Sequence, residues 1–268
     1  MFEVPIIPNE MADPIPLKAM GRFTHEAVCV DPRTGIVYLT EDKNDSLFYR
    51  FIPNVKGELA KGGKLQALVF NRGDAIDTRK WDDQTIHIVR GEEYSVNWID
   101  LDDVESPNDD LRNRGHKAGA ALFARGEGVI WDGDKLFFTS TSGGKAKFGQ
   151  IFRYTPNADD DGSKAGTSSG TISLFLESND PAFYNYGDNL CVMPNGHLMV
   201  CEDQYTSIVD NHLRGVNKDG KTYVFGRSQV QTEFAGACFS PDGQTMFVNL
   251  YAPTYTFAIT GPWESVRG

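Results

Sequence analysis

Apolar runs of four to six residues alternate along the chain with turns built from Gly, Pro, Asp and Asn, and the runs come in pairs. Residues 127–131 and 135–139 form one pair, joined by Asp132-Gly133-Asp134. Residues 26–31 and 36–40 repeat it around Pro32 to Gly35, and residues 188–193 and 198–201 around Pro194-Asn195-Gly196. A fourth copy, residues 235–240 and 246–249, surrounds Pro241-Asp242-Gly243. β-branched and aromatic residues on either side of a Gly-bearing turn predict antiparallel hairpins. Short hairpins recurring at intervals of tens of residues predict a radial repeat, and the fold class is read as an all-β propeller.

Further strand-like runs fill out each blade. Residues 47–52 and 65–70 complete the first, 148–154 and 171–176 the second, 213–217 and 222–225 the third, and 255–260 alone the fourth. Residues 1–20 carry four prolines and no periodicity, which predicts an extended lead-in. The propeller domain then spans residues 21–268, with an inserted excursion at about 71–124 that holds a strand-like run at 93–101 and a predicted helix over 111–123. The polar stretch 157–170 reads as a mobile surface turn.

Superposing the hairpins puts Glu26, Glu127 and Asp188 at one structural position, the start of the first strand. In the fourth copy that place falls to Ala235, with Glu233 two residues upstream. The first strand of each blade lines the axis of a propeller, so these residues converge on one face. Carboxylates gathered there repel one another unless a cation sits among them; the plainer alternative is acids capping turns on a solvated rim. A second acidic tier follows the second strands: Glu41-Asp42 in copy one and Glu202-Asp203 in copy three, where copies two and four have Ser140-Thr141 and Asn249. Antiparallel pairing brings both tiers to the same end of the blade. Oxygen-only ligand sets suit hard cations such as Ca2+, and carboxylates also bind ferric iron.

Arg125, two residues ahead of Glu127, offers a bidentate fork to a phosphoryl group or, equally, a counter-charge to Glu127. Lys145, in the Gly143-Gly144-Lys145 stretch after the same hairpin, is a weaker anion contact, and His25 beside Glu26 is a candidate acid–base group. Zinc spacings and the Gly-x-Ser-x-Gly elbow are absent.

Composition narrows the partners. The chain of 268 residues has a net charge of −11, which argues against nucleic acid and anionic membranes. No apolar run approaches the ~18 residues of a spanning helix, and the first ten residues lack the basic and apolar regions of a signal peptide. Cys29, Cys191 and Cys238 align with Ile130 and are expected as buried, unpaired thiols; Cys201 is the fourth cysteine.

Several stretches together resemble the PhoX-type alkaline phosphatases: residues 21–27, residues 37–42 with 47–51, residues 124–128, residues 141–144 with 149–154, and residues 233–236. The resemblance implies a six-bladed propeller plan with an Fe3+ and Ca2+ cluster that hydrolyses small phosphate monoesters, and export to the periplasm or cell exterior. By position it implies Glu26 and Glu127 as cluster ligands, Arg125 as the substrate-phosphate contact, and Glu41, Glu202 and Glu233 as further ligands. Together with Asp188 from the repeat register, the expected metal set is Glu26, Glu41, Glu127, Asp188, Glu202 and Glu233. The expected catalytic pair is Arg125 and Glu127, with Arg125 and Lys145 binding substrate. Before Gly21 nothing corresponds to the cysteine-bearing upstream segment of that family. The chain is therefore expected to form an open arc of about four blades, with two uncovered edges through which it self-associates and with impaired iron binding and activity. Rival readings are a calcium-dependent lactonase of the gluconolactonase type and a non-catalytic binding scaffold.

Overall fold

A computed structural model describes residues 1–73, 75–82, 88–163, 169–204 and 209–266. After a two-stranded ribbon, β1 (Phe2–Glu3) and β2 (Ile15–Pro16), the first blade is β3 (His25–Val30), β4 (Val37–Glu41), β5 (Tyr49–Pro53) and β6 (Gly63–Phe70). The excursion contributes β7 (Glu93–Asp100) and a helix, α1 (Leu111–Lys117). The second blade is β8 (Gly126–Asp132), β9 (Lys135–Ser140), β10 (Gln150–Pro156) and β11 (Gly170–Glu177). The third is β12 (Gly187–Val192), β13 (Leu198–Glu202), β14 (His212–Val216) and β15 (Thr222–Arg227); the fourth is β16 (Phe234–Phe239), β17 (Thr245–Leu250) and β18 (Tyr255–Thr260). Inner strands β3, β8, β12 and β16 stand side by side in chain order. The chain is an all-β propeller whose fourth blade has three strands.

Alternation along each strand sorts side chains between neighbouring blades. In the first blade Cys29, Tyr38 and Phe48 face the second, meeting Val129, Phe138 and Phe152. Phe48 and Phe138 stack with centroids 4.1 Å apart. The opposite face of that blade, Val37, Leu39, Tyr49 and Phe51, is covered by Leu17 and Met20 of the lead-in, by Phe23 just after it and by Leu111 of α1. One of the two expected uncovered edges is therefore capped. At the other end nothing described covers the outward face of blade four: Cys238, Phe247 and Ala258 are exposed there, Phe247 by 39%. Cys29, Cys191 and Cys201 are buried free thiols, so the expectation fails only for Cys238. Its register matches the others, but no described residue packs over that face.

The excursion does more than cross a face. β7 pairs through residues 96–100 with β6 and through residues 93–96 with β11, joining blades one and two into one nine-stranded sheet. Val96 is paired on both sides. Asp160, in the stretch expected to be a mobile turn, reaches across this seam: Arg50 Nη1 donates to its carboxylate at 2.7 Å while the guanidinium lies 4.7 Å from the Trp98 ring centroid. Both Arg50 and Asp160 are buried.

Candidate metal and phosphate site

Each inner strand is broken at the same place by a β-bulge. In β3, Glu26 and Ala27 lie between the paired residues His25 and Val28, opposite Thr40 alone. Glu127 and Gly128 occupy the bulge of β8 opposite Thr139, and Asp188 and Asn189 that of β12 opposite Cys201. In β16 the bulge holds Gly236 and Ala237, so the acidic position passes to Gly236, one residue beyond Ala235. A bulge turns a side chain off the blade face and bends the strand. Here it takes the acid out of the blade-to-blade packing and delivers it to the axial end.

The bulges are also where the blades are tied together. Thr40 Oγ1 accepts from Ala27 N at 3.0 Å and donates to Glu127 O at 2.5 Å, in the next blade. Thr139 Oγ1 repeats the tie by donating to Asp188 O at 2.9 Å. Between blades three and four, Gly236 N donates to Asn189 Oδ1 at 2.8 Å. Close approach needs Gly128, where a Cβ would lie 2.7 Å from Asp188 O. The backbone of Glu127 and of Asp188 is thus pinned by the second strand of the hairpin that carries the previous acid.

The result is two trios of carboxylates sharing one member. Oxygens of Glu26, Glu127 and Asp188 lie within 4.8 Å of one another, and so do those of Asp188, Asp203 and Glu233. Asp42 stands beside them: Arg125 Nε donates to Asp42 Oδ1 at 2.7 Å and Arg125 Nη2 to Glu127 Oε1 at 2.7 Å. Arg125 has a left-handed backbone (φ 54), as does Tyr186 (φ 50) at the equivalent place before Gly187 and Asp188.

One guanidinium does not balance this many acids. Like charges ~4 Å apart repel by about 4 kcal/mol at an effective dielectric near 20. Burial first, then Asp188, Asp42 and Glu26, push the Glu127 carboxyl up to about 10 against the pull of Arg125. Burial, Glu26 and Asp203 push Asp188 up to about 7, and burial and Asp203 push Glu233 up to about 8. Glu26 is raised too, by partial loss of solvation and then by Asp42, although its side chain still reaches solvent. Without a cation the cluster holds protons at neutral pH. The donor set is all carboxylate oxygen, and Asp203 Oδ1 is buried without a partner among the described residues, so the residues fit hard cations.

Of the residues nominated from the sequence, the structure brings together Glu26, Glu127, Asp188, Glu233 and Arg125. It does not bring Glu41 or Glu202 to the cluster. Both continue blade faces, and a one-residue step along a strand reverses direction, so their neighbours Asp42 and Asp203 stand at the axis instead. Glu41 lies on the lead-in side, accepting from Tyr49 Oη at 2.7 Å, with Arg112 Nη1 at 3.8 Å. Burial raises its carboxyl to about 7. Glu202 sits between blades two and three, where Asn185 N, His212 N, His212 Nδ1 and Arg214 Nε surround both its oxygens at 2.9–3.1 Å. Lys145 is exposed on the loop after β9. The His25 ring turns the other way, Nε2 bonded to Gly21 O at 3.0 Å beside Phe23, and burial lowers its pKa to about 4. The signal available for Asp42 and Asp203 was the alternation itself: Glu41 repeats the direction of Leu39, and Glu202 that of Val200.

The sequence profile of the family described as alkaline phosphatase PhoX matches residues 1–254, including the lead-in. No curated protein matches the chain. Among solved structures it is similar to Pseudomonas fluorescens PhoX in complex with vanadate, a transition state analogue, with a TM-score of 0.68 and 21% identity over 92% of this chain and 51% of that one. The chain thus spans about half the length of that protein. More distant are a virginiamycin B lyase from Staphylococcus aureus (TM-score 0.40, 12% identity, 98% and 74% covered) and a putative 6-phosphogluconolactonase from Bacteroides uniformis (TM-score 0.38, 14%, 88% and 68%).

Proposed function

The chain belongs to the alkaline phosphatase PhoX family, and from that premise we propose that it hydrolyses small phosphate monoesters at the axial carboxylate cluster, with Fe3+ and Ca2+ as its cations. The observation that carries this reading is the pair of carboxylate trios sharing Asp188 beside a clamped arginine. Glu26, Glu127, Asp188, Asp203 and Glu233 would hold the cations. Bound hard cations supply Lewis-acid neutralisation of phosphoryl oxygens.

The chain's own residues contribute position and charge. Asp42 and Glu127 take Nε and Nη2 of Arg125, which leaves Nη1, without a partner among the described residues, to donate a charge-assisted hydrogen bond to a phosphoryl oxygen. Asp42 fixes the direction of the guanidinium, and the Lys43 carbonyl accepts from Arg125 N at 2.9 Å, fixing its backbone. Charge that grows on the phosphoryl oxygens in the transition state then meets a preorganised cation and needs no rearrangement of water. Water displaces the ester oxygen, and alcohol and phosphate leave.

The test is metal analysis of purified protein together with turnover of p-nitrophenyl phosphate, and of a sugar lactone, each with added iron and calcium. Ester turnover that depends on metal and falls at least 100-fold in Arg125→Ala is expected, an effect of the size seen when one transition-state donor is removed. Lactone turnover, or no bound metal with no ester turnover, would overturn the reading.

A further inference from the structure

We propose that Trp81 forms the alcohol-side subsite of this centre, selecting phosphomonoesters whose alcohol carries an aromatic ring, such as nucleoside monophosphates and aryl phosphates. The proposal rests on the phosphatase reading above and goes on to name its substrate class.

Residues 77–81 lie across the three loops that hold Arg125. Thr78 donates through N and Oγ1 to Leu122 O at 3.0 and 2.7 Å, three residues ahead of Arg125. Arg79 Nη1 donates to Asn44 O at 3.0 Å, next to Lys43, whose carbonyl takes Arg125 N. On the third side Trp81 Nε1 donates to Ser142 O at 2.8 Å, and the neighbouring Thr141 N donates to Arg125 O at 3.0 Å. The indole is therefore anchored one residue from the backbone partner of Arg125, at the end of the second blade where β8 begins and β9 ends.

Its surroundings are those of a binding surface. Trp81 is only partly buried, outside all the apolar clusters between the blades. The Arg79 guanidinium lies 4.8 Å from its centroid and is itself pinned by Asp77. The Lys147 ammonium lies 5.0 Å from the centroid on an exposed residue, with no carboxylate partner among the described residues. A lysine cation resting on a ring in place of an acid is a weak, exposed contact that a ligand ring can replace. Beside it the Ser142 hydroxyl is buried without a hydrogen-bond partner among the described residues. An ester whose phosphate meets Arg125 would lay its aromatic alcohol on Trp81, with Lys147 and Ser142 left for polar groups on that alcohol.

Stacking a ring on an aromatic side chain corresponds to roughly 5- to 100-fold in affinity. The experiment compares the wild type, Trp81→Ala and Trp81→Phe on a nucleoside 5′-monophosphate, an aryl phosphate and glycerol phosphate. Trp81→Ala should raise KM about tenfold for the first two and leave glycerol phosphate unchanged, with Trp81→Phe restoring most of the loss. Equal losses on all three esters, or none, would sink the proposal. Calorimetric binding of phenylphosphonate against methylphosphonate needs no turnover, and the preference for phenylphosphonate should vanish in Trp81→Ala. Preference without turnover of any ester would leave the platform standing and remove the phosphatase reading. Turnover without that preference would remove the platform alone.

Discussion

Thr40 shows how much a single hydroxyl decides. It satisfies the amide of Ala27 inside one bulge and the carbonyl of Glu127 inside the next, so the carboxylates of two blades share one support. Thr40→Val keeps the shape but removes both bonds, leaving the Glu127 carbonyl buried without this donor at about 1–3 kcal/mol and the half-buried Ala27 amide at less. Chemical denaturation should show that loss, Thr40→Ser should recover most of it, and calcium affinity should fall with it. At this scale the sequence told only part of the story. Glu26, Glu127 and Asp188 were legible because each opens a hairpin that repeats. Alternation sets Glu41 with Leu39 and Glu202 with Val200, apart from Asp42 and Asp203, but β4 and β13 are buried on both faces, so it does not say which member of each pair stands at the axis.

Among elements, hairpins were readable and their partners were not. Each turn is written in adjacent residues, whereas β7 finds β11 across more than 70 positions, and the lead-in finds blade one through Leu17 and Met20 with no periodic signature. The cysteines carry the same lesson into the fourth blade. Strand register predicts burial only where another blade packs against the strand. A maleimide reagent should therefore label Cys238 of the native protein within minutes and leave Cys29, Cys191 and Cys201 to react on unfolding. Rapid labelling of Cys191 would mean that blades three and four do not pack as described.

For the whole molecule, the acid cluster sets the response to pH. Asp188, Glu233 and Glu127 bind protons in the folded state at pH values where the unfolded chain has released them. The native state then holds more protons from about pH 4.5 upward, so the metal-free protein loses stability as pH rises through 7 and 8 toward 10. Cations that require ionised carboxylates act in the opposite direction. The melting temperature should fall between pH 6 and pH 9 without added metal, and calcium should raise it more at pH 9 than at pH 6. The seam made by β7 adds a consequence of another kind. Blades one and two are riveted along their rims by hydrogen bonds, whereas blades two, three and four are separate sheets. The span from Glu26 to Glu127 is therefore set by a rigid plate, while the span from Glu127 across Asp188 to Asp203 and Glu233 crosses joints held by side chains and single backbone ties. The cluster resembles a vice with one fixed jaw and one sprung jaw, and an ion of a different radius should be met by movement of the second.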